Sequence, residues 1–89
     1  MVLSKKAISD LKRLPVYIVI KLQSWVDLIV HEGLLAARRI PGYHDELLRG
    51  ERMGHRSIRL NRAYRAIYRI SELGDVEVVD VLEVNKHKY

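Results

Sequence analysis

The spacing of apolar residues changes from a helical period in the first half of the chain to strict alternation in the second half. Val2 and Leu3 are the only residues available for a strand before Ser4, a residue type that caps helix N-termini. Apolar side chains then recur at three- and four-residue spacing, which predicts a first helix with one core-facing side. The members of this stripe are Ala7, Ile8, Leu11 and Leu14.

A second apolar stripe lies between Pro15 and Gly33 and predicts a second helix. Pro15 fits the first turn of that helix, and Gly33 fits a left-handed residue at its C-terminus. The stripe consists of Val19, Leu22, Val26 and Ile29, flanked by Ile18 and Trp25. We interpret Trp25 as a packing residue rather than a platform for base stacking. The two stripes predict an αα-hairpin, which residues 34–39 extend by one helical turn before a loop at 43–46.

Residues 56–70 alternate with a period of two and predict a β-hairpin. One face carries Arg56, Ile58, Leu60, Tyr64, Ala66, Tyr68 and Ile70, and the other carries Ser57, Arg59, Asn61, Arg65, Ile67 and Arg69. A turn at residues 61–63 places Leu60 opposite Tyr64 and Ile58 opposite Ala66. The same register sets Arg59 directly across from Arg65 on an open face.

A third antiparallel strand is predicted at residues 76–84, after a turn at Gly74 and Asp75. If parity is kept through that turn, the core-facing residues are Val78, Leu82 and Val84, and the face of Arg59 and Arg65 receives Glu77, Val79, Val81, Glu83, Asn85 and His87. Pairing about Leu73 would leave His87 about six residues, or roughly 20 Å, beyond the partner of Arg65. The predicted order is strand, helix, helix and three antiparallel strands, an α+β arrangement with helices packed on one small sheet.

Length and composition limit the classes of protein that the chain can represent. Its 89 residues predict a single domain over 1–89 with one modest core. No apolar run reaches the roughly 18 residues that span a bilayer, and Lys5 and Lys6 interrupt the N-terminus before a signal peptide could form. We therefore expect a cytoplasmic protein that does not associate with a membrane. The chain has no cysteine, and its four histidines lack metal-ligand spacing, so we expect neither a metal site nor a cofactor.

Positive charge is concentrated in the predicted hairpin. The net charge is +5, and the segment from Arg49 to Arg69 holds seven arginines against one acid, Glu51. This balance favours a polyanionic or acidic partner, with nucleic acid first. Because like charges directly opposite each other destabilise a sheet, Arg59 and Arg65 suggest an anion between them, and a guanidinium matches phosphate bidentately. The alternative is that the two arginines are simply solvated on an open face.

Six segments, taken together and in this order, resemble the RelE/ParE superfamily of type II toxin–antitoxin toxins, most closely its branch of ribosome-dependent mRNA endoribonucleases. The resemblance covers nearly the whole chain. The segments are residues 3–7, 10–15, 47–50, 56–61, 64–69 and 84–89. The family implies a RelE-like α+β fold, an acidic antitoxin as partner, and the ribosome and mRNA as targets.

The resemblance also implies roles for individual residues. Arg65 and Arg59 match basic residues that contact the phosphate at the cleavage point, and His87 matches a histidine near the C-terminus in branches such as YoeB and YafQ. Tyr89 is similar to a terminal aromatic residue of those branches, and Glu46 to a glutamate that one branch uses as a general base.

RNA cleavage through the ribose 2′-hydroxyl needs a base, an acid and fixed positive charge at the phosphorane. We therefore expect His87 to transfer a proton, Arg65 and Arg59 to stabilise the phosphorane, and Tyr89 to stack a base or orient the chain. His55 is a second candidate for proton transfer, although a structural role suits it better. RNA contacts that steer binding are expected from Arg49, Arg52, Arg56, Arg62, Arg69 and Lys86.

A different function is open to the same fold. ParE-type members block DNA gyrase by protein contact and have no nuclease residues. On this alternative the chain is a binding protein with an incidental basic face.

Overall fold

A computed structural model describes residues 2–73 and 76–86. The sequence forms three helices and five strands. The helices are α1 (Lys5–Leu11), α2 (Val16–Glu32) and α3 (Leu34–Arg38), and the strands are β1 (Val2–Leu3), β2 (Glu46–Leu47), β3 (Arg56–Arg59), β4 (Tyr64–Leu73) and β5 (Val76–Lys86). Short 3₁₀ turns at Pro41–Tyr43 and Gly50–Arg52 flank β2.

The strands form one sheet in the order β1-β5-β4-β3-β2. β2, β3, β4 and β5 pair antiparallel, while β1 pairs parallel with β5. The fold is therefore α+β, as the sequence predicts. One detail of the predicted order was wrong, because the loop at 43–46 contains the start of β2. The parallel orientation of β1 was not predicted.

The helical hairpin packs on one face of the sheet. Ser4 caps α1, since its Oγ accepts a hydrogen bond from the Ala7 amide at 2.9 Å, and Gly33 ends α2 with a φ of +91°, as predicted. Trp25 is fully buried and stacks on Tyr68 of β4, with ring centroids 5.0 Å apart, which confirms its packing role. Ile8 was wrongly predicted to face the core, because it is 46% exposed on the outer side of α1.

The β3–β4 hairpin has the predicted register. Ile58 pairs with Ala66, Arg59 pairs with Arg65, and the Leu60 amide donates to the Tyr64 carbonyl. The Asn61 side chain shapes the turn, because its Oδ1 accepts from the amides of Ala63 and Tyr64, both at 2.8 Å.

A β-bulge between β4 and β5 overturns the predicted face of the last strand. Ile67 pairs with Glu83 but Tyr68 pairs with Val81, so Leu82 is an extra residue and parity changes there. Val79 and Val81 consequently face the core, where we had predicted Val78 and Leu82; Val84 faces it as predicted.

The same pairing corrects the predicted distance between Arg65 and His87. Leu73 pairs with Val76, and in this register Arg65 pairs with Asn85 rather than with a residue near Val81. His87 is therefore two residues beyond that partner in the sequence, and not six. His87 itself lies outside the described residues.

Candidate anion-binding groove

A groove of about 90 Å³ lies on the side of the sheet opposite the helices, between β2 and the β3–β4 turn. It is bounded by the loop that enters β2 and by the hairpin with its turn. Its lining residues are His44, Glu46, Ser57, Ile58, Arg59, Asn61, Arg62, Tyr64 and Arg65. Three residues predicted for catalysis, Glu46, Arg59 and Arg65, are thus brought together.

Strand register explains why these three side chains share one groove. Glu46 pairs with Ser57 on β3, and two residues further along β3 Arg59 pairs with Arg65. Because side chains two residues apart lie on the same face, Glu46 and both arginines point to the same side. Directly opposite residues have Cβ atoms about 4.5–5.5 Å apart. At this separation the guanidinium groups of Arg59 and Arg65 can both donate hydrogen bonds to one phosphate.

The arginine pair carries charge that the described part of the chain does not neutralise. Neither Arg59 nor Arg65 forms an ion pair with any residue in 2–73 or 76–86. The Nε atom of Arg65 is buried and has no hydrogen-bond acceptor within those ranges. A buried donor without an acceptor is unfavourable, and so this atom is suited to an anion that enters the groove.

The carboxylate closest in register to Arg65 is already bound elsewhere. Glu83 lies opposite Ile67 and accepts hydrogen bonds from Arg52 Nη2 and Asn85 Nδ2, each at 2.7 Å. Arg52 belongs to the connection between β2 and β3, and its ion pair with Glu83 holds this connection over Ile67. Ile67 is 1% exposed. The face predicted to be open is therefore covered at Ile67 and open at the arginines.

A buried polar cluster fixes the loop that supplies Glu46. The side chain of Asp45 is 1% exposed; its Oδ1 accepts from Arg56 Nε at 2.7 Å and its Oδ2 accepts from the Tyr68 hydroxyl. Burial and the hydrogen bond to Asp45 raise the pKa of Tyr68 to about 12. Burial lowers the pKa of Arg56, but the hydrogen bond and charge of Asp45 outweigh it, so the pKa is raised overall. Asp45 thus faces the core while its neighbours His44 and Glu46 line the groove.

His44 is a groove residue that sequence reasoning missed. Its Nε2 lies 3.7 Å from Glu46 Oε2, and its backbone has a left-handed φ of +47°. A signal was present, because His44 and Glu46 flank Asp45 at a spacing of two. Because residues 43–46 were predicted to be a loop, the spacing could not show that the side chains of His44 and Glu46 line the same groove.

The residues predicted to contact RNA lie in or near the groove, in the buried cluster of Asp45, or elsewhere around the sheet. Arg62 lines the groove, and Arg49 is exposed just before the 3₁₀ turn that follows β2. Arg56, by contrast, is bound to Asp45 and away from the groove. The others lie around the sheet: Arg52 pairs with Glu83, Arg69 pairs with Asp80 at 3.4 Å, and the exposed Lys86 lies opposite Tyr64.

Two predicted catalytic residues, His87 and Tyr89, lie outside the described residues. His55 is half-buried in the connection between β2 and β3, where its carbonyl accepts from the Leu48 amide at 2.9 Å, and it is not part of the groove.

Within residues 2–73 and 76–86, no cluster of three or more histidine or acidic side chains could hold a metal ion. No helix in that part of the chain has the length and apolar character to cross a bilayer.

Solved structures with the same architecture define the class of protein. A YoeB/ParE toxin from Agrobacterium tumefaciens is 26% identical and superimposes with a TM-score of 0.68, covering 98% of this chain and 97% of that one. YafQ from E. coli is 18% identical with a TM-score of 0.74, covering 96% and 89%, and shares the fold. The toxin in the RelBE2 complex of Mycobacterium tuberculosis is 25% identical with a TM-score of 0.58, covering 96% and 93%. The fold is that of the RelE/ParE superfamily of type II toxins.

A family model identifies the family within this class. The model for the ParE toxin of type II toxin–antitoxin systems matches residues 1–88. The chain therefore belongs to the ParE toxin family. No curated protein matches the chain by sequence.

Proposed function

We propose that this protein is a toxin that cleaves mRNA on the ribosome and so inhibits translation in the cytoplasm. The observation that carries the proposal is the groove itself. Two opposing arginines share it with a carboxylate, Glu46, and the buried Nε of Arg65 has no acceptor within the described part of the chain. A phosphodiester supplies an anion for the arginines, and Glu46 places a carboxylate on the side of the groove where the 2′-hydroxyl loses its proton.

The proposed reaction is attack of the ribose 2′-oxygen on the adjacent phosphorus. As that bond forms, the bond from phosphorus to the 5′-oxygen breaks, which leaves a 2′,3′-cyclic phosphate and a free 5′-hydroxyl. Arg59 and Arg65 stabilise the negative charge that accumulates on the phosphorane oxygens. This chemistry uses side chains alone and needs no metal or cofactor.

Two proton transfers complete the reaction. The 2′-hydroxyl loses a proton on the β2 side of the groove, where Glu46 lies. The 5′-oxygen gains a proton, and we assign the donor role to His87, which follows Asn85, the partner of Arg65, by two residues in the sequence. Tyr89 is proposed to stack on a base or to orient the RNA chain.

Arginines outside the reacting centre are proposed to attract ribosomal RNA. Phosphate contacts add up over many residues, and no single one is decisive. The residues proposed for this role are Arg62, which lines the groove, the exposed Arg49, and Arg52, Arg69 and Lys86 around the sheet.

The toxin class also implies an antitoxin. Related solved structures include the YoeB–YefM complex from Staphylococcus aureus and the toxin–antitoxin complex RelBE2 from Mycobacterium tuberculosis. We propose that this toxin, with its net charge of +5, binds an acidic antitoxin encoded beside it.

A second function is favoured by the family match. The matching model is that of ParE toxins, and ParE-type members of this fold act by blocking DNA gyrase. On that reading the groove is an incidental basic surface, and catalysis is absent. The Arg65 Nε, which has no acceptor among the described residues, and the carboxylate of Glu46 in the same groove favour the nuclease.

A side-by-side assay separates the two functions. The purified protein would be added to a translating extract with a defined mRNA, and separately to a gyrase supercoiling reaction. The proposal predicts mRNA fragments that appear only when ribosomes are translating, with supercoiling unchanged. Inhibition of supercoiling without mRNA cleavage would establish the ParE-like function instead.

A further inference from the structure

We propose that His44 and Glu46 form one catalytic dyad at the β2 side of the groove, in which His44 receives the 2′-hydroxyl proton and Glu46 orients its imidazole. This inference rests on the proposed nuclease function and assigns a residue that the sequence comparison did not suggest. The observation behind it is the approach of His44 Nε2 to Glu46 Oε2, at 3.7 Å, an ion-pair distance longer than a hydrogen bond. Both side chains line the groove of Arg59 and Arg65 and are 60% and 55% exposed, and such contacts tighten when substrate binds.

The fold directs both side chains of the dyad toward the groove. Asp45, between them in sequence, is held on the core side by Arg56 and Tyr68, so the peptide around it has a fixed orientation. Glu46 is also tied to β3 by its pairing with Ser57. The two side chains therefore share one groove because the residue between them is anchored in the opposite direction.

The backbone of His44 supports a functional interpretation. Its φ of +47° is uncommon for a residue with a Cβ atom, and its amide donates to the Pro41 carbonyl at 3.0 Å to close the 3₁₀ turn. Glycine or asparagine would satisfy this conformation with less strain. Histidine is nevertheless among the residue types enriched in this conformation, so His44 can close the turn and still present its imidazole to the groove.

The dyad suits the base side of the reaction. Histidine changes its charge between about pH 5 and 8, and a carboxylate next to an imidazole holds the ring in one orientation and stabilises the imidazolium that forms. In the proposed step, the 2′-oxygen bonds to phosphorus, its proton moves to His44, and the 5′-oxygen leaves with a proton from His87. Glu46 is the ionisable group recorded next to His44, and the other ionisable side chains that line the same groove are those of Arg59, Arg62, Arg65 and Tyr64.

The variants follow from the geometry. His44→Asn keeps a residue that tolerates a left-handed backbone, and His44→Gly removes the ring with no backbone penalty and leaves space for a small molecule. Glu46→Gln removes the carboxylate charge, and the double variant His44→Asn with Glu46→Gln tests whether the two act together. His31→Asn is the matched control, since His31 is an exposed histidine on α2.

The test is single-turnover cleavage of mRNA on programmed ribosomes, with ribosome binding measured separately. The dyad predicts that His44→Asn and Glu46→Gln each slow cleavage by about 100-fold or more at unchanged ribosome affinity. The double variant should be no slower than the worse single variant, because residues that act as a unit lose their effect once. Added imidazole should restore part of the rate to His44→Gly, and His31→Asn should cleave like the wild type.

The outcomes separate the dyad from the proposed function. If the wild type cleaves while His44→Asn stays within about twofold of it, or if the two single losses multiply in the double variant, the dyad is overturned and the nuclease stands. If the wild type does not cleave on ribosomes, the proposed function and the dyad are both refuted.

Discussion

Asp45 is a buried carboxylate that fixes the positions of its neighbours, His44 and Glu46, although its own side chain lies outside the groove. Its oxygens accept from Arg56 and Tyr68, which belong to two adjacent strands, and its side chain is almost fully enclosed. The loop entering β2 is thereby joined to the core. No periodic pattern in the sequence marks this role, because the partners lie 11 and 23 residues away.

Asp45→Asn should destabilise the fold. Breaking a buried ion pair by removing one charge costs about 3–5 kcal/mol, and we expect the lower end of that range because the Arg56 side chain is 22% exposed. Urea unfolding of the variant would measure the loss. Asp27→Asn, at an exposed position on α2, serves as the control and should change the free energy of unfolding by less than about 0.5 kcal/mol. Equal stability of the two variants would mean that Asp45 does not anchor the loop.

His87→Gln should slow cleavage by roughly 100-fold to 10,000-fold if His87 donates the proton to the leaving oxygen. The dependence of the rate on pH between about 5 and 8 should flatten as well, since histidine is the side chain that titrates there. Ribosome binding should be unchanged, because many arginines share it. Single-turnover cleavage across that pH range is the measurement, and an unchanged rate and profile would remove His87 from the mechanism.

At the scale of elements, the β3–β4 hairpin was predictable and the β4–β5 pairing was not. Alternation and the turn residue Asn61 set the register of the first hairpin, including the opposition of Arg59 and Arg65. The second pairing contains a bulge at Leu82, whose carbonyl accepts a hydrogen bond from Ser4, 78 residues away in the sequence. β2 escaped prediction because two residues cannot display a period.

Ser4 links the first helix to this bulge. Its Oγ caps α1 by accepting from the Ala7 amide, and the same hydroxyl donates to the carbonyl of Leu82. Asp10, on the same helix, accepts from the Val84 amide at 3.0 Å. The edge of β5 beyond β1 is therefore closed by side chains of α1.

Ser4→Ala should lower the free energy of unfolding by about 2 kcal/mol. About 1 kcal/mol comes from the lost N-cap, and about 1 kcal/mol comes from the lost hydrogen bond to Leu82. Thermal or urea unfolding would measure the difference against Ser9→Ala, which changes an exposed serine of α1 whose Oγ accepts from Arg13 Nη2. If the two variants are equally stable, Ser4 does not couple α1 to the bulge.

At the scale of the whole molecule, the net charge of +5 favours acidic partners. Fold class, basic character and the arginine pair all follow from the sequence, because they depend on composition and strand period. The sequence does not predict that Glu46 and His44 share a groove with the arginine pair, because that arrangement depends on a two-residue strand and on the buried Asp45.

Co-expression with the neighbouring gene should yield a tight complex with an acidic protein. Complementary charge accelerates association and is screened by salt, so the association rate should fall as ionic strength rises. Kinetic binding measurements between about 0.05 and 0.5 M salt would test this. A toxin that is harmless when expressed alone and recruits no protein encoded beside it would contradict the assignment of an antitoxin partner.

The central claim is that the arginine pair binds the scissile phosphate, and cleavage by Arg65→Ala tests it most directly. Arg69→Ala is the matched control, because Arg69 lies on the same strand and face but is paired with Asp80 outside the groove. Single-turnover cleavage on programmed ribosomes should slow by about 100-fold to 1000-fold for Arg65→Ala, as for loss of one donor to a developing oxyanion, and by less than about threefold for Arg69→Ala. Equal cleavage rates for Arg65→Ala and the wild type, at matched thermal stability, would contradict the account.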